Sequence, residues 1–241
     1  MRMFFLIFLC FASIFTNAQQ TLDIAAPSQT GGNYGNISYV DVTTIGQKKI
    51  ESFSYADVLG SPFWNDDWNT ALLFLKKGVV KVQKAKLNLY TDEIHFVDKS
   101  ETERAVDNTD VKKVIFFKGA DTTKILAVFE ALPDSMSTNK LSYYQVLNKG
   151  KMRLLVLKKT FVKENEYNPT TGKKDHSFYY KTTYALANNA NIFPVKLNQS
   201  SILSVIPASA DTEQWLKQNK NKLKNESEVV SFLDYYNSVI K

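Results

Sequence analysis

From about residue 48, hydrophobic and polar residues alternate along most of the chain with a period of two. This alternation puts apolar side chains on one face of a β-strand and polar side chains on the other. Strands are predicted near residues 71–75, 80–89, 94–96, 102–106, 112–118, 124–131, 141–147, 152–162, 178–186 and 192–197. Short polar turns separate them without intervening helices, so the pattern predicts an antiparallel meander.

The apolar positions change parity within residues 80–89. They are even-numbered at 80 and 82 and odd-numbered at 85, 87 and 89. A strand cannot transfer its apolar side chains to the other face without an extra residue. The sequence therefore predicts a β-bulge or a strand break near Gln83 and Lys84. A longer polar loop is expected over residues 165–175, where Pro169 and Gly172 interrupt the alternation.

The spacing becomes helical near residue 198. Asn198 can cap a short helix, Asp211 with Gln214 fits a capping box, and Asn225 with Glu228 repeats that signature. In the last helix, apolar residues at 229, 232, 233, 236 and 240 form one stripe. We therefore expect a β-rich α+β fold, in which C-terminal helices cover one face of the meander sheet.

Residues 1–18 have the pattern of a cleavable signal peptide. Arg2 precedes an apolar run over residues 4–15, and the small residue Ala18 lies at the expected cleavage position. The run is shorter than the ~20 residues that a membrane-spanning helix needs. We expect export to the periplasm, the cell surface or the medium, a mature chain beginning at Gln19, and no transmembrane segment after processing.

The expected processing also defines the organisation of the chain. Removing 18 of the 241 residues leaves 223 and takes away the only cysteine, Cys10, so the mature chain must be held by its core. Residues 19–46 are rich in Gly, Ser, Thr, Asn and Gln and are predicted to form a flexible leader. Residues 47–241 are predicted to form one β-rich domain with a helical segment at 198–240.

The excess of positive charge does not indicate a nucleic-acid partner. The chain has 30 Lys and Arg against 24 Asp and Glu, but beyond the signal peptide Arg occurs only at 104 and 153. Bidentate contacts to bases and phosphates usually come from arginine.

No catalytic, cofactor or metal site is predicted. His95 lies between Ile94 and Phe96 and is expected to be an ordinary half-exposed strand residue, whereas His176 is expected to be solvated. The Gly-x-Ser-x-Gly motif of serine hydrolases does not occur. An enzyme is therefore disfavoured, although convergent acids, or a histidine paired with a carboxylate, would support a hydrolase.

Two groups of residues are candidate ligand contacts. Trp64, Asp66, Asp67 and Trp68 could hold a glycan by stacking and hydrogen bonds, or the acids could bind Ca²⁺ through oxygen. The alternative is a polar turn with both tryptophans packed under the sheet edge.

The second group lies on the strand at 178–186. Phe178, Tyr180 and Tyr184 share one face and could line an apolar pocket for a small ligand. Packing of this face against the C-terminal helices would account for the same residues without a ligand.

Four segments resemble a group of exported Gram-negative bacterial proteins that have no assigned activity. These segments are residues 17–19, 60–67, 87–93 and 232–237. The resemblance implies export and this order of segments, but no chemistry. The leading hypothesis is a non-catalytic envelope protein with a binding or structural role. The alternatives are a carrier or sensor of an apolar small ligand and, third, an envelope-directed hydrolase.

Overall fold

A computed structural model describes residues 48–49, 58–76, 78–134, 140–170, 172–189, 191–207 and 209–240. Of these residues, 53% are in strands and 16% in helices, which confirms the β-rich α+β class. The predicted signal peptide and leader lie outside the described residues.

Within the described residues, twelve strands form one sheet. The strands are β1 (Lys48–Lys49), β2 (Val58–Leu59), β3 (Asn69–Leu75), β4 (Gly78–Asn88), β5 (Glu93–Val97), β6 (Glu103–Asp107), β7 (Val111–Lys118), β8 (Asp121–Pro133), β9 (Leu141–Val146), β10 (Arg153–Asn168), β11 (Lys173–Ala187) and β12 (Ile192–Val195).

The sheet consists of two antiparallel meanders joined side by side. Its order is β1-β6-β5-β4-β3-β7-β8-β9-β10-β11-β12, so β7 pairs with β3 rather than with the preceding strand β6. The sheet is mixed because β2 pairs with β11 in parallel. The loop expected at 165–175 is shorter than predicted, since β10 continues to Asn168 and β11 begins at Lys173.

The short connection between β6 and β7 shows that the sheet is strongly curled. Asp107 ends β6 and Val111 begins β7, so this connection spans at most about 14 Å. In a flat sheet the intervening strands would separate β6 from β7 by about 19 Å. Ile94 of β5 and Val106 of β6 accordingly share one buried cluster with Phe129 of β8.

The predicted bulge is present in β4 and contributes to this curl. Asn69 pairs with Ala85 and Ala71 pairs with Val82, so three steps along β4 match two along β3. Gln83 and Lys84 are consecutive exposed residues at this point. A bulge bends its strand and increases the twist. Ala85, just after the bulge, pairs with both Asn69 of β3 and Phe96 of β5.

Three helices follow the sheet, and their caps correct one prediction. They are α1 (Gln199–Leu203), α2 (Ala210–Gln218) and α3 (Glu226–Val239). Asn198 and Asn225 cap α1 and α3 as expected. The capping box of α2 is formed by Ser209 and Thr212, not by Asp211 and Gln214, because the hydroxyl groups satisfy the helix start two residues earlier.

The helices pack on the β10–β12 end of the sheet. Leu154, Leu186 and Val195 of these strands share a buried cluster with Leu216 of α2 and Phe232 of α3. Asn237 of α3 also clamps the β9–β10 loop, where its side chain accepts from Met152 N at 2.8 Å and donates to Met152 O at 2.8 Å. The cluster around β3–β9 contains no helix residue, so the helices cover only part of one face.

Candidate functional site

The two tryptophans of the 63–69 segment point to different environments. Trp64 packs against the core, with its ring 5.1 Å from Phe129 and 5.8 Å from Phe116. Trp68 is 37% exposed, and Asp66 and Asp67 are exposed beside it. The structure therefore separates Trp64 from the other three predicted contacts.

Backbone and side-chain hydrogen bonds hold this segment on the end of β4. Trp64 N donates to Leu87 O at 2.9 Å, and Leu89 N donates to Pro62 O at 2.8 Å. The Ser61 hydroxyl donates to the Asp66 carboxylate and closes the turn. These bonds fix the segment over residues 61–69 on the end of β4. We call this segment the ledge, and its outer side carries Asp66, Asp67 and Trp68.

The structure brings one residue of the β11 group to this ledge. The Tyr180 hydroxyl donates to Ser61 O at 2.8 Å, and the ring is 43% exposed. Burial raises the Tyr180 pKa, and the Asp66 carboxylate contributes to the increase. Tyr180 and Asp66 therefore belong to one local environment although 114 positions separate them in the sequence.

The other two β11 residues are engaged in packing. The ring of Phe178 lies 5.8 Å from that of Tyr90, which is 47% exposed. Tyr184 lies against the helix-covered cluster and donates from its hydroxyl to Glu226 Oε1 at 3.0 Å. Burial, followed by this hydrogen bond, raises the Tyr184 pKa.

We use the term 58–68 surface for the exposed and partly exposed side chains on and beside the ledge. Two lysines lie on its rings: Lys86 Nζ is 4.8 Å from the Trp68 centroid and 5.3 Å from that of Phe63. Lys158 Nζ is 4.0 Å from the Tyr180 centroid. The surface comprises Phe63, Asp66, Asp67, Trp68, Lys86, Tyr90, Lys158 and Tyr180.

The two ring-stacked lysines differ from a third one elsewhere. Lys113 also lies over a ring, that of Phe74, but its ammonium is 4.0 Å from Glu130. Neither Lys86 nor Lys158 forms an ion pair with the residues that the structure describes. Both signs of charge are therefore available on the 58–68 surface, with Asp66 and Asp67 supplying carboxylates.

His95 lies directly beneath this surface and corrects the expected half-exposed position. It is only 3% exposed, because Phe63 of the ledge covers the face on which it lies, with the two rings 5.2 Å apart. Its Nδ1 is 2.8 Å from Glu103 Oε1, and its Nε2 is 3.3 Å from Asn88 Nδ2. His176 is exposed, as predicted.

The partners of Asn88 determine the hydrogen-bonding roles of the two His95 nitrogens. Asn88 Oδ1 accepts from the backbone N–H groups of Tyr90 and Thr91 at 2.9 and 3.2 Å. The amide Nδ2 therefore faces His95, and because an amide NH₂ group only donates, Nε2 accepts in this contact. The tautomer that fits carries its proton on Nδ1, which donates to Glu103.

A second polar network ties the β4–β5 turn, Leu89–Asp92, to β8–β10. Lys159 Nζ contacts the carboxylates of Asp134 and, at 3.4 Å, Asp92. The Ser142 hydroxyl lies 3.1 Å from Asp134 Oδ2 and 3.2 Å from Asp92 Oδ2 and donates to one of them. Thr160 N also donates to Leu89 O at 3.2 Å, so the turn is fastened at two points.

Burial has the largest effect on the pKa values of both Asp92 and Lys159 in this network. Burial raises the pKa of Asp92 more than Lys159 and Ser142 lower it. Burial alone would lower the pKa of Lys159, but the bond to Asp134 and the charge of Asp92 raise it overall. Lys159 is consequently held as an ammonium and cannot act as a general base for Ser142.

Both networks contain groups that sequence analysis named as favouring a hydrolase: two neighbouring carboxylates, Asp92 and Asp134, and a histidine paired with a carboxylate, His95 with Glu103. Ser142 and the Asp134 side chain have no exposed area. Both ring nitrogens of His95 are occupied. Their geometry supports a structural role at the base of the 58–68 surface.

Sequence reasoning missed Lys86, Tyr90, Lys158 and the two networks. No local signal marks these residues, because each gains its role from a neighbour on another strand.

In the part of the chain that the structure describes, no three His, Cys, Asp or Glu side chains converge as metal ligands. None of the described helices combines the length and apolar character needed to span a bilayer. Comparisons with protein-family models, curated proteins and solved structures gave no match.

Proposed function

We propose that this is an exported, non-catalytic envelope protein that binds glycan through the 58–68 surface. The observation that carries the proposal is the grouping of exposed rings with charged side chains that form no ion pair with the described residues. Trp68, Tyr90 and Tyr180 present aromatic surface, and Asp66, Asp67, Lys86 and Lys158 supply polar groups around it.

This combination suits a sugar better than an apolar ligand. Aromatic rings offer flat apolar area with few rotatable bonds, so stacking on them costs little conformational entropy. Carboxylates accept hydrogen bonds from hydroxyl groups, and ammonium groups donate to ring and hydroxyl oxygens. The carrier hypothesis has less support, because Phe178 and Tyr184 pack against Tyr90 and the helices.

The ledge also provides preorganisation. The bond between Ser61 and Asp66, the backbone pairing with β4 and the contact from Tyr180 fix the surface before a ligand arrives. Preorganised side chains lose less entropy on binding.

The test is an array of bacterial envelope glycans probed with the mature protein and with Trp68→Ala. We expect the variant to bind about tenfold more weakly, because a central ring is removed. Because about two thirds of Trp68 is covered, the melting temperature of the variant is measured as well, and binding is compared at a temperature at which both proteins are folded. The matched control is Tyr167→Ala, which removes a 61% exposed ring on the β10–β11 hairpin.

The control should bind as the unmodified protein does. Equal binding by unmodified protein and Trp68→Ala would contradict the proposal, as would failure of the unmodified protein to bind any glycan on the array.

A further inference from the structure

We propose that His95 is a positioning residue that makes the 58–68 surface sensitive to pH. Protonation of Nε2 would release the β4–β5 turn and weaken glycan binding. This inference rests on the proposed function and concerns the regulation of the same surface.

The argument begins with the contact between Asn88 and His95. At neutral pH, Asn88 Nδ2 donates to Nε2 across 3.3 Å. A proton on Nε2 turns the acceptor into a donor, so two N–H groups would face each other in a buried contact. An unmet donor in such a place costs free energy, and the amide must rotate to present Oδ1 to the imidazolium.

Rotation of Asn88 would remove the support of the turn. Oδ1 accepts from Tyr90 N and Thr91 N, and these bonds hold the chain as it leaves β4. Loss of both would displace Tyr90, whose ring packs on Phe178 and belongs to the 58–68 surface. Phe63 would respond as well, because its ring lies against the imidazole.

Charged groups face His95 from both neighbouring strands. Glu103 of β6 lies 2.8 Å from Nδ1. Lys86 of β4 is paired directly with His95 in the sheet. Glu93 lies two residues away on the same face of β5.

The chain contains two histidines, which supplies a matched control. The variants are His95→Gln, whose amide can donate to Glu103 and accept from Asn88 without titrating, and His176→Gln. Glycan binding is measured on the envelope-glycan array at pH 7.5 and 5.0. In the free protein, nitrogen NMR reports the His95 tautomer, and the ring signals of Tyr90 report the turn.

We expect the unmodified protein and His176→Gln to bind about tenfold more weakly at pH 5.0, since two hydrogen bonds are lost. His95→Gln should bind within about twofold of the unmodified protein at pH 7.5 and lose the pH response. The Tyr90 signals should shift as His95 titrates, and at pH 7.5 the proton should lie on Nδ1.

A pH response that persists in His95→Gln would overturn the inference and assign the effect to another group, such as Asp92. Tyr90 signals that stay constant while His95 titrates would overturn it whatever the binding result. A Tyr90 shift abolished by His95→Gln, together with no glycan bound at any pH, would support the turn mechanism and refute the proposed function.

Discussion

At the scale of single residues, the buried charges around the β4–β5 turn have the largest energetic consequences. Lys159 contacts the carboxylates of both Asp92 and Asp134, and the side chains of all three residues are largely withdrawn from water. Breaking a buried pair costs more than forming it gains, because the remaining charge stays desolvated. Burial is the largest cause of the raised pKa of Asp92, and it outweighs the opposing effects of Lys159 and Ser142.

The Asp92 carboxyl gives a pH prediction of defined sign. Its folded pKa exceeds the ordinary value of 3.8, so the folded state binds this proton more tightly than the unfolded state. Its contribution to stability is complete below that value and is lost as the pH rises through the folded pKa. Denaturant unfolding from pH 3.5 to 7.5 should therefore show Asp92→Asn gaining stability relative to the unmodified protein as the pH rises. A constant difference between the two proteins across that range would contradict the assignment.

Residue roles were the least predictable from sequence. The alternation in β5 correctly turns His95 away from the side of Ile94 and Phe96. It could not show that the ledge covers the other side, because Phe63 reaches His95 from a segment 32 positions earlier. Tyr180 and Asp66 were named in separate groups for the same reason. Alternation of hydrophobic and polar residues shows which face of a strand a side chain lies on, but it does not show which other segment packs on that face.

At the scale of elements, α3 shows how a local pattern can determine a position. Asn225 Oδ1 accepts from Glu228 N at 2.9 Å, and Val229, Phe232 and Leu233 are buried as the stripe predicted. The pattern succeeds here because cap and stripe lie within one helix. The start of α2 was less predictable, because Ser209 competes with Asp211 as a cap and both fit the local spacing.

Phe232→Asp tests the packing of α3 on the sheet. Phe232 has no exposed area and contacts the rings of Trp215 and Tyr236, so an aspartate there is a buried, unpaired charge. We expect a loss of more than about 4 kcal/mol and no cooperative melting transition by circular dichroism. Asp234→Asn on the exposed side of α3 is the control and should melt as the unmodified protein does. A melting temperature for Phe232→Asp within a few degrees of that value would show that α3 does not stabilise the sheet.

At the scale of the whole molecule, the turn signals predicted the antiparallel meanders but not the pairing of β3 with β7, which joins the two meanders side by side. The β4 bulge could be located because a parity change is a local signal. The pairing of β7 with β3 could not be predicted. It depends on the curl of the sheet, which allows the short connection between β6 and β7. The helices were assigned correctly to the sheet, but the sequence pattern did not show that they pack at its β10–β12 end.

The proposed export makes a prediction for the complete chain. If residues 1–18 are a signal peptide, mass spectrometry of the protein recovered from the envelope fraction should give a mature chain that begins at Gln19. Ala18→Arg should block cleavage and leave a precursor that is larger by the first 18 residues. Detection of Arg2 in the exported, unmodified protein would contradict the interpretation.

The order of strands also implies an order of folding. Most strands pair with a sequence neighbour, and such local pairs form early because little chain entropy is lost in closing short loops. The contact between Ser61 and Tyr180 spans 119 positions. Likewise, β2 can pair only after β11 has been synthesised. A chain emerging from its amino terminus could build the first meander while the 58–68 surface was still incomplete. Binding competence would then arise only in a chain synthesised past β11, so truncated products would carry a folded sheet without the surface that recognises the ligand.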